Sequence, residues 1–160
     1  MNGKISIPNY FVYHDLLAAG GQPSREQLST LKGDGFDAVV NISPVSSRNA
    51  VLDESGIVES LKMDYAHFPV DCSNLKPFHY RTFKGILDGF EGKKVFVHCG
   101  ANIKSSNLIH MYHVLEKGID ESVSLTTLYE IQIPEEKWFK YFRTLGMEGL
   151  SGVEAFHIAS

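Results

Sequence analysis

Two short apolar runs, Ala38 to Ile42 and Val95 to His98, constrain this chain more than any other feature. Both are apolar nearly without a break instead of alternating, which is the pattern of a strand covered on both faces. Two further runs, Asn9 to Tyr13 and Tyr65 to Val70, also read as strands. Segments with helical spacing separate them. Ser24 and Gln27 form a capping-box pattern ahead of Leu28 and Leu31, with Gly35 as the stop. Leu52 to Met63 is a weaker helix with a glycine inside it. Pro77 opens a helix carrying Phe78, Phe83, Ile86, Leu87 and Phe90. Leu108, Ile109, Met111, Tyr112 and Leu115 mark one side of a helix that ends at Gly118. Asp120 caps another through Tyr129, and Pro134 opens a last one with Trp138, Phe139 and Phe142.

This alternation predicts an α/β fold: a central, mostly parallel sheet of about four to five strands flanked by helices, with a helical C-terminal third. No internal repeat or linker-like stretch divides the chain, so residues 1–160 read as one domain. With 43% hydrophobic and 21% charged residues, the chain has the composition of a globular protein. A net charge of −4 and the lack of any long basic stretch argue against a nucleic-acid partner. No apolar run reaches membrane-helix length, and Met1 to Tyr10 lacks the basic start and apolar block of a leader, so neither a membrane nor export is expected. Cys72 and Cys99 are too few for a disulfide framework, which makes the reducing cytoplasm the expected compartment.

In an open α/β sheet, ligands bind beyond the carboxyl ends of strands. Val95-Phe96-Val97-His98 leads there into Cys99-Gly100-Ala101-Asn102-Ile103-Lys104-Ser105-Ser106 and then a helix. A strand-to-helix loop offers free N–H groups, and Gly100 and Ala101 let the backbone approach an anion closely. The helix N-terminus favours a thiolate at Cys99, a nucleophile able to split phosphoester hydrolysis into two steps. Lys104 adds positive charge, and Ser105 or Ser106 a hydroxyl. The same residues also suit a small buried Cys and a Ser-Ser helix cap.

The His98-Cys99 loop resembles the signature of the protein tyrosine and dual-specificity phosphatases. It is more similar still to a bacterial phosphatase-like family also found fused to β-lactamase-like hydrolases. There the loop reads His-Cys, two small residues, Asn, one residue, Arg, one residue, Ser, which His98, Cys99, Ala101, Asn102 and Ser106 match. Gly21-Gln22-Pro23-Ser24, Phe68-Pro69-Val70-Asp71 and Trp138 extend the resemblance over most of residues 10–145. It implies a phosphotyrosine-phosphatase-like fold and a cysteine-dependent phosphatase working through phosphocysteine. Cys99 would be the nucleophile, Asp71 the acid and His98 the residue that orients the loop. Gly100, Ala101, Asn102, Ile103, Lys104, Ser105 and Ser106 would bind phosphate. The departure is the loop arginine: the superfamily frame puts Ser105 in its place, and the shorter frame puts Lys104 there. Arg grips phosphate through a planar fork, whereas Lys is a point charge. Arg48 and Arg81 are the arginines on other loops that could reach in.

Asp71 equally suits a turn with Ser73 and Asn74. His67 and His110 lack metal-ligand spacing, so no metal or other cofactor is expected. Cys72, beside Asp71, is a candidate for a reversible bridge to Cys99 under oxidation. The expected partner is a phosphorylated protein or a small phosphoester. Two competing functions remain: a catalytically weak phosphate-binding module, and a rhodanese-like sulfurtransferase carrying a persulfide on Cys99.

Overall fold

Phe11–His14 (β1), Leu17–Gly20 (β2), Ala38–Asn41 (β3), Asp64–His67 (β4) and Val95–His98 (β5) form one sheet in the order β1-β2-β5-β3-β4. The computed structural model describes residues 5–150, so both ends of the expected domain, including the start of the Met1-to-Tyr10 segment, lie outside the described residues. β2, β5, β3 and β4 run parallel, and β1 joins the β2 edge antiparallel. The helices are α1 (Arg25–Gly33), α2 (Glu54–Ser60), α3 (Pro77–Gly89), α4 (Ile103–Leu115), α5 (Glu121–Tyr129) and α6 (Glu136–Thr144).

Successive side chains of the central strands divide between two cores, because side chains alternate across a sheet. Ala18, Val39 and Phe96 pack with Leu28, Leu31 and Val58 of α1 and α2. Ala19, Val40 and Val97 pack with α3 to α6, including Phe83, Leu108, Leu125 and Trp138. The expected α/β class, parallel sheet and helical C-terminal third are therefore what the chain adopts.

α2 is shorter than the expected Leu52 to Met63, α6 begins after Pro134, and four further differences have a physical cause. β2 was not expected, because Leu-Ala-Ala-Gly lacks β-branched and aromatic residues. Its small residues answer to crowding: a Cβ on Gly20 would lie 2.9 Å from Ile7 Cγ2 and 3.1 Å from the Phe96 ring. β1 starts at Phe11, not Asn9, since Asn9 takes a left-handed φ of 51°. β4 ends at His67 instead of Val70, although Phe68 N–H and Val70 N–H still donate to Asn41 and Ile42 at 2.9 and 3.0 Å. α4 is buried all round from Ser105 to Tyr112, not along one side, because α3, α5 and the sheet enclose it.

Candidate active site

β5 lies between β2 and β3, so its carboxyl end opens near the middle of the sheet. The chain leaves His98 and reaches α4 through Cys99, Gly100, Ala101 and Asn102. Asn102, the residue before α4, holds a left-handed φ of 64° without capping the helix by its side chain. Ile103, Lys104 and Ser105 occupy the first turn, where N–H groups have no acceptor within a helix, and they have none among the described residues.

Two neighbouring segments fix this loop. Asn9 Nδ2 donates to Ala101 O and Asn102 Nδ2 to Asn9 O, both at 2.9 Å. Gly21 pairs with Ala101 in an isolated bridge, and Gln22 N–H donates to Gly100 O at 3.0 Å. Only a glycine fits at position 21, since a Cβ there would lie 2.6 Å from Gly100 O. The Gly21-to-Ser24 segment thus braces the loop with its first half and caps α1 through Ser24 with its second.

His98 is fully buried. Its Nε2–H donates to Glu54 Oε2 at 2.7 Å, and Nδ1 faces Cys99 O at 3.1 Å. Gln22 Nε2 donates to the other Glu54 oxygen at 2.7 Å, and Asn41 Nδ2 donates to Tyr65 OH at 3.0 Å. Burial pushes the Glu54 carboxyl up, but hydrogen bonds from His98, Gln22 and Tyr65 and the charge of His98 outweigh it, so the net direction is down. A buried carboxylate therefore anchors the His98 ring directly behind the loop. Glu54 escaped the sequence reading, because a glutamate at the start of a weak helix carries no sign of a partner on a distant strand.

Cys99 is 2% exposed, and its N–H reaches Gly20 O at 3.4 Å. Ser106 Oγ donates to Asn102 O at 2.5 Å and accepts from Gln132 Nε2 at 2.7 Å, so it secures the loop backbone. Ser105 Oγ and Asn102 Oδ1 are buried with no partner among the described residues, as is Tyr13 OH. Lys104 Nζ donates to Val70 O at 2.7 Å, which ties the loop cation to the segment after β4.

Asp71 follows Val70 and is exposed. Its Oδ1 accepts from Ser73 N–H at 2.9 Å and from Ser73 Oγ at 2.6 Å, the geometry of an Asx turn. Those two bonds first, then the charges of Lys104 and His79, hold its carboxyl below the ordinary range. Cys72 is half-buried against the core that contains Cys99, and burial pushes its thiol up. Arg48 and Arg81 are exposed. His67 Nε2 faces Ser43 O at 2.6 Å and His110 Nδ1 faces Ser124 Oγ at 2.7 Å. Among the described residues no group of three or more His, Cys, Asp or Glu is placed to hold a metal, and no helix is long and apolar enough to cross a membrane.

No family model matches the sequence, and no curated protein does. Among solved structures, a DUF442 phosphatase-like protein from Shewanella putrefaciens CN-32 is 30% identical, with a TM-score of 0.76 over 88% of this chain and 90% of that one. The chain belongs to the DUF442 family. Less similar solved structures share the fold of this chain. Tk-PTP in its active form is 18% identical, with a TM-score of 0.73 over 86% of this chain and 96% of its own. TpbA of P. aeruginosa is 16% identical, with a TM-score of 0.69 over 96% of this chain and 92% of its own. These neighbours share the phosphotyrosine-phosphatase-like fold that the resemblance implied.

Proposed function

We propose that this protein hydrolyses phosphate monoesters through a phosphocysteine intermediate on Cys99. The observation that carries the reading is the position of Cys99: it sits one residue beyond a central parallel strand and ahead of the unpaired first-turn N–H groups of α4. In this reading the N–H groups of Ile103, Lys104 and Ser105, with the Gly100-to-Asn102 backbone, hold the non-bridging phosphate oxygens. The Cys99 thiolate attacks phosphorus. The ester P–O bond breaks, and the leaving oxygen takes a proton from Asp71. Water then attacks the phosphocysteine, gives a proton back to Asp71, and breaks the S–P bond to release phosphate and the thiolate. A phosphate dianion close to Asp71 raises its carboxyl pKa against the Ser73 hydrogen bonds that favour the carboxylate, so the acid form is favoured once substrate is bound. His98 acts through position, held by Glu54.

The expected substrate is a phosphorylated protein or a small phosphoester. We take the chain to work as a single domain in a reducing compartment, where its nucleophilic thiol stays free. The test is hydrolysis of a chromogenic aryl phosphate by the wild type and by Cys99→Ser, with a loss of about a thousandfold or more expected in the variant. Equal rates in the two would end the proposal.

One observation favours a second reading, oxyanion binding with slow turnover. Lys104 is engaged by Val70 O, and Ser105 stands where the superfamily frame places arginine. Phosphate binding by calorimetry, with wild-type hydrolysis no faster than that of Cys99→Ser, would select it. Thiosulfate-to-cyanide transfer would instead select the sulfurtransferase reading.

A further inference from the structure

A cavity of about 340 Å³ opens over the carboxyl ends of β3 and β4. Val45, Leu52 and Asp53 wall it from the β3–α2 segment, and Asn41, Tyr65 and His67 from the strand ends. No residue from Cys99 to Ser106 lines it. It nevertheless lies beside the end of β5, which leads into the Cys99 loop, and its segment comes near the loop itself. Asn41 is in register with His98 on β5. Glu54, in the cavity wall, bonds to His98. On the same segment, Asn49 Oδ1 lies 4.0 Å from where a Cβ on Gly100 would sit.

The chemistry of the walls is specific. Val45 and Leu52 are 80% and 88% exposed, so the rim offers apolar surface to whatever enters. Asp53 holds a left-handed φ of 57° and makes no capping bond to α2, and its carboxylate has no ion-pair partner among the described residues. Glu54 also lines the cavity, but its buried carboxylate is taken up by His98 and Gln22, so Asp53 carries the free charge. Arg48, the one cation on this segment, is exposed and does not line the cavity. The volume suits a single ring with a short side chain.

We propose that this cavity is the leaving-group subsite of the Cys99 loop, and that it selects phosphoesters whose leaving group is an apolar ring bearing an amine over those bearing an anion. This rests on the reading of Cys99 as the phosphate site. A substrate with further phosphates or carboxylates would bring its second negative charge against Asp53.

Three aryl phosphates of similar shape test it: tyramine O-phosphate, 4-ethylphenyl phosphate and 4-(phosphonooxy)phenylacetate. Their phenols are of similar acidity, so charge is the main variable. Calorimetry on Cys99→Ser, which binds without turning over, should place them in that order of affinity, with a span of about fivefold. Adding Asp53→Asn should bring the ends of the series together, and Asn tolerates the left-handed backbone there. Equal affinities, or no binding by any of the three, overturn the subsite. A reversed order overturns it as well and points to Arg48. Hydrolysis by the wild type is read separately. Turnover of all three with equal Kd and kcat/KM defeats the subsite alone, whereas ordered binding without turnover supports the subsite and defeats the phosphatase.

Discussion

Lys104 is the one cation of the loop, and its ammonium is turned to another segment. Its ammonium donates to Val70 O at 2.7 Å, so in the free protein its charge serves a backbone carbonyl beside Asp71. A dianionic phosphate is a stronger partner for that ammonium than a neutral carbonyl. An ammonium still makes point contacts only, whereas guanidinium offers two parallel donors. Lys104→Arg should therefore tighten phosphate binding and raise kcat/KM for an aryl phosphate by about tenfold or more. Calorimetry and steady-state rates check it, with Ser105→Arg as the comparison. If Ser105→Arg gains and Lys104→Arg does not, the superfamily frame applies. Unchanged affinity in both would mean that the first-turn N–H groups, not a side-chain cation, set oxyanion affinity.

At the scale of elements, the loop is held by a segment far away in sequence. Gly21 lies against Gly100 and Ala101 so closely that a methyl group would stand 2.6 Å from Gly100 O and 3.2 Å from Ala101 Cα. Backbone cannot move aside as a flexible side chain can. Gly21→Ala should cost about 1–3 kcal/mol of stability through overpacking, and it should weaken phosphate binding through the displaced Gly100. Urea unfolding gives the first quantity and calorimetry the second. A loss of stability with unchanged phosphate affinity would separate the brace from the site. The same contact explains what the sequence made legible. The buried strand Val95–His98 and the loop after it could be read, because apolar continuity and the strand-to-helix change are local properties. β2 could not be read, since Leu-Ala-Ala-Gly has little strand propensity and Gly20 answers to the space between Ile7 and Phe96. Glu54 could not be read either, because its bond to His98 exists only once β3 and β5 are neighbours. Asp71 makes the turn with Ser73 that the sequence allowed, and the residue before it takes the Lys104 contact.

For the whole molecule, the larger core sets a limit on acid stability. The apolar runs announced two covered faces, but not that α4 would be enclosed and take His110 and His113 inward with it. Burial, followed by the charge of His113, pushes His110 down to about 4. Burial, then His14 and Lys117, pushes His113 down to about 4 as well. Both lie below the ordinary histidine value of 6.5. The folded state thus resists protons that the unfolded chain accepts. The contribution of the two histidines to stability is complete above pH 6.5 and is lost as pH falls toward 4. One group shifted by one pKa unit contributes about 1.4 kcal/mol, so the two together are worth several kcal/mol over that window. Carboxylates held low, such as Glu54 and Asp120, add their loss only at still lower pH. Urea midpoints measured from pH 7 to pH 4 should fall steadily before the carboxylate range is reached. His110→Gln retains a donor for Ser124 without a proton to gain, so it should flatten that slope. A wild-type midpoint constant from pH 7 to pH 5 would mean that α4 opens readily enough for water to reach both rings.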